Sequence, residues 1–322
     1  AAMKVSRNKR KSSKKPTRKS ASSARKRASK AGKVVTRRTK GIPFVKMEGI
    51  GNDYVYIDAR DSVPENLPDL ARRMSDRHFG VGSDGIILIR RSSVKGVKHR
   101  MQMLNSDGSE SEMCGNGLRC VAKFLYDRKF EKNENFPVET GAGVLTVTVT
   151  EQQSHVARKI RVNMGPPRFL RGEIPMQGDA ASKCLIEPFM VGNREFIITA
   201  LSMGNPHCVI FLDKPPTDDL VLGFGPQIEK HPMFPRRTNV EFVYKQPDGT
   251  LLQRTWERGA GETLACGTGA SAVCVAAHLN GLAGRKVKIK LLGGELDMEW
   301  NEQDNCVYKT GPAREVFSGV WT

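Results

Sequence analysis

Two cysteines have nearly identical sequence surroundings. Cys114 is followed by Gly115-Asn116-Gly117, and Cys266 is followed by Gly267-Thr268-Gly269. Glycines permit a tight turn and leave consecutive N–H groups open to a ligand, and the start of a helix lowers the pKa of a thiol placed there. One such cysteine would suggest a nucleophile. Two suggest that one thiolate removes a proton from a carbon and one thiol returns a proton to its other face.

Both cysteines lie in a longer internal repeat. Residues 110–117 match residues 262–269, and Gly51-Asn52 with the apolar run after it matches Gly204-Asn205 at nearly the same offset. Short β-rich runs surround helices predicted at 67–78, after Gly115 and after Gly267, where Ala270, Val273, Cys274 and Ala277 fall on one face. The repeat predicts an α+β fold of two homologous domains facing each other across a cleft. We place them at residues 41–159 and 160–310, and residues 311–322 are a candidate for return to the first domain.

The charge of the chain is concentrated in its first forty residues. The chain carries 52 Lys+Arg and 34 Asp+Glu, and 17 of the basic residues but none of the acidic ones lie in residues 1–40. That segment has too few apolar side chains to form a core, so it is predicted to be a disordered basic tail. Three roles fit it: a solvated extension, a targeting segment, or an arm that contacts a nucleic acid or another polyanion without reading bases.

Several classes of site are disfavoured. The seven cysteines form an odd set without a C-x-x-C pair, which favours a reducing compartment over a disulfide framework and argues against a structural zinc site. We interpret the five other cysteines as buried small side chains: Cys120, Cys184, Cys208, Cys274 and Cys306. No apolar run is long enough to predict a membrane span. The Gly-rich run 80–85 precedes a strand instead of joining a strand to a helix, so a dinucleotide site is not expected.

No cofactor is expected. Proton removal from the α-carbon of an amino acid normally uses pyridoxal phosphate as an electron sink, but no phosphate loop is paired with a Schiff-base lysine in this sequence. Backbone N–H groups at Gly115-Asn116 and Gly267-Thr268 could instead bind a substrate carboxylate and stabilise enolate-like charge in a closed, dry cleft.

The motifs resemble those of the diaminopimelate epimerase family across residues 42–322. They are residues 44–53 (FVKMEGIGND), 105–109 (NSDGS), 113–120 (MCGNGLRC), 204–207 (GNPH) and 257–269 (ERGAGETLACGTG). The resemblance implies two pseudo-symmetric domains, each a β-barrel-like sheet around a central helix, with the active site in the cleft between them. It also implies cofactor-independent conversion of LL- to meso-2,6-diaminopimelate in lysine and peptidoglycan biosynthesis, in the cytoplasm, or in a plastid if the tail is a targeting segment.

The same resemblance assigns roles to individual residues. Cys114 and Cys266 would be the acid/base pair, and His207 and Glu257 would tune them, with no metal involved. Substrate would contact Asn52, Asn105, Gly115, Asn116, Asn205, Asn239, Glu257, Arg258, Gly267 and Thr268. The carboxylate-binding Arg and ammonium-binding Glu suit the distal end of a substrate with two amino-acid groups. At Gly85, where the family often has Gln, no side chain is available for a contact.

Two alternatives stay open at this point. Proline and hydroxyproline racemases have a similar fold and also use paired cysteines, although Asn116 and the Glu257-Arg258 pair favour the longer substrate with two charged ends. A protein of another class would act on nucleic acid through the basic tail. The candidate partners are therefore the small-molecule substrate, a second copy of the chain in a homodimer, and a polyanion bound by residues 1–40; no membrane partner is expected.

Overall fold

The structure is a computed structural model that describes residues 41–111 and 114–322. The predicted basic tail, residues 1–40, lies outside the described residues. Of the helices in the described part of the chain, none combines the length and the apolar character needed to span a membrane.

The first half of the chain alternates short strands with two helices. Its elements are β1 (Ile42–Gly49), β2 (Asn52–Asp58), α1 (Leu67–Ser75), β3 (Gly85–Arg91), β4 (His99–Asn105), β5 (Glu110–Ser111), α2 (Gly115–Asp127), β6 (Asn135–Thr140), β7 (Gly143–Gln153) and β8 (Val156–Asn163).

The second half repeats this order, with a π-helical turn (Asp219–Phe224) and a short helix in the place of α1. Its elements are β9 (Cys184–Val191), β10 (Arg194–Ser202), β11 (Pro206–Leu212), α3 (Gly225–Glu229), β12 (Asn239–Lys245), β13 (Leu251–Glu257), β14 (Gly261–Thr263), α4 (Gly267–Leu279), β15 (Lys286–Leu291), β16 (Gly294–Trp300), β17 (Val307–Pro312) and β18 (Arg314–Trp321).

Strand pairing confirms the predicted α+β fold with two pseudo-symmetric halves. β2 runs parallel to β3 as β11 does to β12, and β4 runs parallel to β6 as β13 does to β15. The antiparallel pairs β3–β4, β6–β7 and β7–β8 have their counterparts in β12–β13, β15–β16 and β16–β17. The halves meet where β8 pairs antiparallel with β17. This junction places corresponding elements on opposite sides of an approximate twofold axis.

A central helix is enclosed in each half. The described residues of α2 from Gly115 to Tyr126 are all buried, and α4 is buried without interruption from Gly269 to Ala277. Sequence spacing predicted only one apolar face on α4. The structure buries its whole circumference because the sheet wraps around it, which is the environment that small and β-branched side chains all round the helix favour.

The structure bears on three boundaries predicted from the sequence: the end of α1, the division between the two domains and the placement of residues 311–322. Helix α1 ends at Ser75, three residues earlier than predicted, because the Asp76 side chain accepts hydrogen bonds of 2.8 Å from the backbone of both His78 and Phe79. The predicted domain boundary at 159/160 falls inside β8, and that division stays a prediction. Strand β18, within residues 311–322, pairs with β1.

Candidate active site

Cys114 is the N-cap residue of α2. Its extended backbone turns the chain into the helix, and its Sγ accepts a hydrogen bond of 3.4 Å from the backbone N–H of Gly117. A Cβ atom at Gly117 would lie 2.6 Å from Cδ1 of Ile87, so glycine lets the helix approach β3 without displacing that side chain. The Cys114 thiol is thereby fixed at the positive end of a buried helix.

Cys266 has the same position at the start of α4. Its Sγ accepts a hydrogen bond of 3.3 Å from the backbone N–H of Gly269 and lies 3.6 Å from Oγ1 of Thr268. A Cβ atom at Gly269 would lie 2.6 Å from Oε1 of Glu241. The two predicted helix starts are therefore confirmed, and each presents one sulfur from its cap.

One cavity brings the two caps together. It has a volume of about 260 Å³, and both Cys114 and Cys266 line it, as do the glycine-containing dipeptides that follow them. The complete lining is Asn52, Tyr54, Met103, Cys114, Gly115, Asn116, Asn205, Glu257, Ala265, Cys266, Gly267 and Thr268. Two helix N-termini thus point their free N–H groups and partial positive charge into the same small space, which favours an anion such as a carboxylate.

Asn52 links the first cysteine to a carboxylate. The Cys114 thiol donates to Oδ1 of Asn52 at 3.1 Å, while Nδ2 of Asn52 donates to Oδ2 of Asp84 at 2.6 Å. Asp84 also accepts from the backbone N–H of Asp53 and from the guanidinium of Arg77. The carboxylate therefore fixes which end of the Asn52 amide faces the sulfur.

A different chain of side chains supports the second cysteine. Nδ1 of the buried His207 lies 2.7 Å from Oε1 of Glu241, and its Nε2 lies 3.0 Å from Oδ1 of Asn205. Nδ2 of Asn205 in turn donates to Oγ1 of Thr268 at 3.2 Å. Both ring nitrogens of His207 are thus occupied by oxygen atoms, and the imidazole positions Asn205 at the cavity wall instead of lining the cavity itself.

The environment of Cys266 reverses an expectation from the sequence. A helix start alone would lower the pKa of its thiol, but burial raises that pKa well above its usual value, and the nearby carboxyl groups of Glu257 and Glu241 act in the same direction. Desolvation and two acidic neighbours outweigh the helix dipole. The surroundings of Cys266 therefore favour the protonated thiol over the thiolate.

Glu257 stands between this cavity and a second one of about 500 Å³, which also contains Asn105, Arg77 and Asp84. Burial raises the pKa of the Glu257 carboxyl, and Glu241 adds to the rise, whereas the Thr263 hydroxyl and His207 oppose it. Asn52, Tyr54 and Ala265 also line both cavities, so the two spaces adjoin.

Two predicted substrate contacts lie away from the lining of both cavities. Asn239 is buried: its Nδ2 donates to the carbonyl oxygen of Pro206, and its Oδ1 accepts from the backbone N–H of Arg258. The exposed Arg258 side chain donates to the carbonyl oxygen of Arg236 at 3.1 Å. Their contacts with substrate, like those of the other assigned residues, stay predictions.

Comparison with known proteins shows the family of this chain. The sequence model of diaminopimelate epimerase matches residues 44–170 and 199–316. The chain belongs to the diaminopimelate epimerase family. A diaminopimelate epimerase from Leptospira biflexa is 50% identical over 279 residues, covering 86% of this chain and 98% of the relative. One from Methanococcus maripaludis (strain C6) is 47% identical over 277 residues, covering 86% and 98%.

Solved structures of distant proteins share the fold of this diaminopimelate epimerase family member. A hydroxyproline epimerase from Agrobacterium vitis superposes with a TM-score of 0.62 at 15% identity, over 87% of this chain and 91% of that one. A phenazine biosynthesis protein of the PhzF family from Bacillus anthracis gives a TM-score of 0.62 at 14% identity, over 88% and 99%. Identity this low shows the common fold only.

The sequence alone did not assign four residues to the site of this diaminopimelate epimerase family member. Glu241 had a signal, because a carboxylate inside the apolar strand 240–243 is unusual unless it has a partner. Asp84 lay in the glycine-rich run considered only as a nucleotide loop. Tyr54, in the cavity wall, and Lys309, behind it, gave no signal because only tertiary structure brings them to the cysteines.

Proposed function

We propose that this protein converts LL-2,6-diaminopimelate to meso-2,6-diaminopimelate without a cofactor, through an acid/base pair formed by Cys114 and Cys266. The observation that carries the proposal is that both sulfurs cap buried helices related by the pseudo-twofold axis and line the same 260 Å³ cavity. A carbon held between them has one sulfur on each face. That geometry suits inversion of a stereocentre better than attack by one nucleophile.

The proposed reaction is a pair of proton transfers. One sulfur, as the thiolate, takes the α-proton of the substrate, and the electron pair of the broken C–H bond delocalises toward the adjacent carboxylate. The other sulfur, as the thiol, gives its proton to the opposite face of the same carbon. The two sulfurs exchange protonation states in each turnover, so the reverse reaction uses the same groups in exchanged roles.

Stabilisation of the intermediate would come from the two helix starts. Backbone N–H groups at Gly115-Asn116 and Gly267-Thr268 face the cavity and would bind the reacting carboxylate as negative charge accumulates on it. Side-chain amides of Asn52 and Asn205, held by Asp84 and His207, add neutral hydrogen-bonding groups at the wall. Neutral groups allow binding without adding a charge that would have to be desolvated.

The adjoining cavity suits a substrate with a second amino-acid end. Glu257 and Asn105 line it, and we assign Glu257 to the distal ammonium and Arg258 to the distal carboxylate. Arg258 is exposed and follows Glu257 in the chain, and Asn239, itself a predicted substrate contact, accepts a hydrogen bond from the Arg258 backbone N–H. His207 and Glu257 would also tune Cys266, whose raised pKa keeps it a proton donor until a turnover uses that proton.

The proposal is tested by giving the purified protein either LL-diaminopimelate or trans-4-hydroxy-L-proline and separating the stereoisomers by chiral chromatography. We expect meso-diaminopimelate to form and hydroxyproline to stay unchanged. Epimerisation of hydroxyproline with no meso-diaminopimelate would contradict the assignment and favour a racemase of the smaller amino acid.

We further propose that the enzyme works in the cytoplasm as a homodimer. A reducing compartment suits it because all seven cysteines are free, including the two that the reaction needs as thiol and thiolate. Sedimentation velocity tests the dimer: a monomer that retains full activity would contradict it.

A further inference from the structure

Lys309 lies at the approximate twofold axis that relates the two cysteines. In the second half, Lys309 pairs with Met298, which comes four residues after the hairpin glycine Gly294. In the first half the corresponding pair is Val162 with Val147, which comes four residues after Gly143. Val162 and Lys309 are therefore equivalent positions, and they are also direct partners across the β8–β17 junction. A lysine thus occupies one of two equivalent positions at the axis.

The side chain of Lys309 reaches the starts of both central helices. It is completely buried, and its Nζ donates to Oδ1 of Asn116 at 3.1 Å. A Cβ atom placed on Gly115 would lie 2.5 Å from Nζ, and one placed on Gly267 would overlap Nζ. The ammonium therefore sits between the first residues of α2 and α4, behind the dipeptides that form the cavity floor.

This is an unfavourable place for a cation unless an anion joins it. Both helix starts carry partial positive charge, and the guanidinium of the buried Arg119 donates to the same Asn116 oxygen at 2.9 Å. Within residues 41–111 and 114–322, Lys309 forms no ion pair with a carboxylate, and no acidic side chain is among the groups that shift its pKa. Burying an ammonium without a counter-charge is costly and favours the neutral amine, so an anion that arrives between the helix starts would favour the charged form of Lys309.

The groups that face Lys309 indicate which anions can reach it. Arg119 approaches from α2, Cys114 and Cys266 approach from the two caps, and the strand partners Val162 and Met298 are apolar. Burial, followed by Arg119, lowers the pKa of the Lys309 ammonium to about 7, whereas the two cysteines act to raise it. Negative charge on either sulfur would therefore stabilise the Lys309 ammonium, and with a pKa of about 7 this group can gain or lose its proton near neutral pH.

We propose that Lys309 is a positioning residue for both halves of the epimerisation: from behind the cavity floor, its ammonium favours the reacting carboxylate between the helix starts and supports whichever cysteine is the thiolate. This inference rests on the proposed function. The position of Lys309 at the axis lets one charge act on both sulfurs. The two sulfurs exchange roles in each turnover, as an enzyme that works in both directions requires.

The test uses Lys309→Met, which keeps the length and removes the charge, and Lys309→Gln, whose amide N–H can still donate toward Asn116. The matched control is Lys290→Met, on the exposed side of β15. The rate of iodoacetamide alkylation at each cysteine is measured by mass spectrometry across pH without substrate, and kcat and KM for LL-diaminopimelate are measured across the same range. Thermal unfolding of each variant shows that it is folded.

We expect both Lys309 variants to raise the apparent pKa of both thiols by about one unit, and the KM to rise about tenfold, as loss of a close opposite charge implies. The ionisation near pH 7 should also disappear from the KM profile. Unchanged thiol pKa values, a change at one cysteine only, or rescue of the KM by Gln would overturn the proposal, since each assigns Lys309 a merely structural role. If the wild type forms no meso isomer, the proposed function fails. The thiol measurements need no substrate, so they still test the role of Lys309 in that case.

Discussion

The carboxylate of Glu241 lies 2.7 Å from Nδ1 of His207, on the neighbouring parallel strand, and both side chains are fully buried. In the first half the register of β2 with β3 places Tyr54 and Ile87 at the corresponding positions. The backbone of the site is therefore nearly symmetric while its charges are not. Burial raises the pKa of Cys266, and the carboxyl groups of Glu257 and Glu241 add to that rise.

Removing His207 should destabilise the fold through Glu241. In His207→Leu the buried carboxylate loses its partner, and an uncompensated buried charge typically costs about 3–5 kcal/mol. Urea unfolding measures the change. The double variant His207→Leu/Glu241→Leu should recover most of the loss because no charge is left behind; an equal loss in both variants would contradict the role assigned to the pair.

Replacing either cap sulfur by oxygen should abolish epimerisation and leave the fold intact. Serine is a good N-cap residue, so Cys114→Ser and Cys266→Ser should keep helices α2 and α4. Loss of an acid/base group should lower kcat by about 100-fold or more. Cys306→Ser, at a partly exposed cysteine outside the cavity, is the control and should behave as wild type. Substantial activity in either cap variant would contradict the two-base account.

The ionisation of Lys309 should be visible in the pH dependence of stability. Its pKa is about 7 in the folded protein against an ordinary value of 10.5, so the unfolded chain binds more protons between these limits. Lys309 therefore makes the free energy of unfolding rise with pH from about 7 to 10.5, by up to about 1.4 kcal/mol per pH unit. In urea unfolding across this range, the free energy of unfolding of the wild type minus that of Lys309→Met should therefore increase with pH. If the free energies of unfolding of the two proteins changed in parallel with pH, the pKa of Lys309 would not be lowered in the folded protein.

The basic tail should be separable from catalysis. We expect a variant lacking residues 1–40 to keep its kcat and KM, because every residue assigned to the site lies between Asn52 and Lys309. We also expect the full chain, but not the shortened one, to bind DNA with an affinity that falls as salt rises, since 17 cations carry that binding. DNA binding by the shortened chain would place the contact within residues 41–322.

The sequence specified the repeated features well. Cys114 and Cys266 with their glycines predicted both helix starts, and the duplicated blocks predicted the pseudo-symmetric fold, because a repeat of local chemistry is visible without any alignment. The partners of those residues were harder to find. Asp84 reaches Asn52 from a loop, and Lys309 reaches Gly115 across the strand junction, so neither contact leaves a local pattern. For Cys266, the prediction of a lowered pKa from the helix dipole was wrong because burial raises that pKa, and burial depends on the whole sheet around α4.

The most direct test of the two-base account is epimerisation of LL-diaminopimelate in deuterium oxide, followed at early conversion by mass spectrometry and proton NMR. The thiol that returns the proton will have exchanged with solvent, so the account predicts meso product carrying one deuterium at the inverted α-carbon, while the remaining LL substrate stays unlabelled. Meso product that retains the substrate's own α-proton would show that one group both removes and returns it, which would contradict the account.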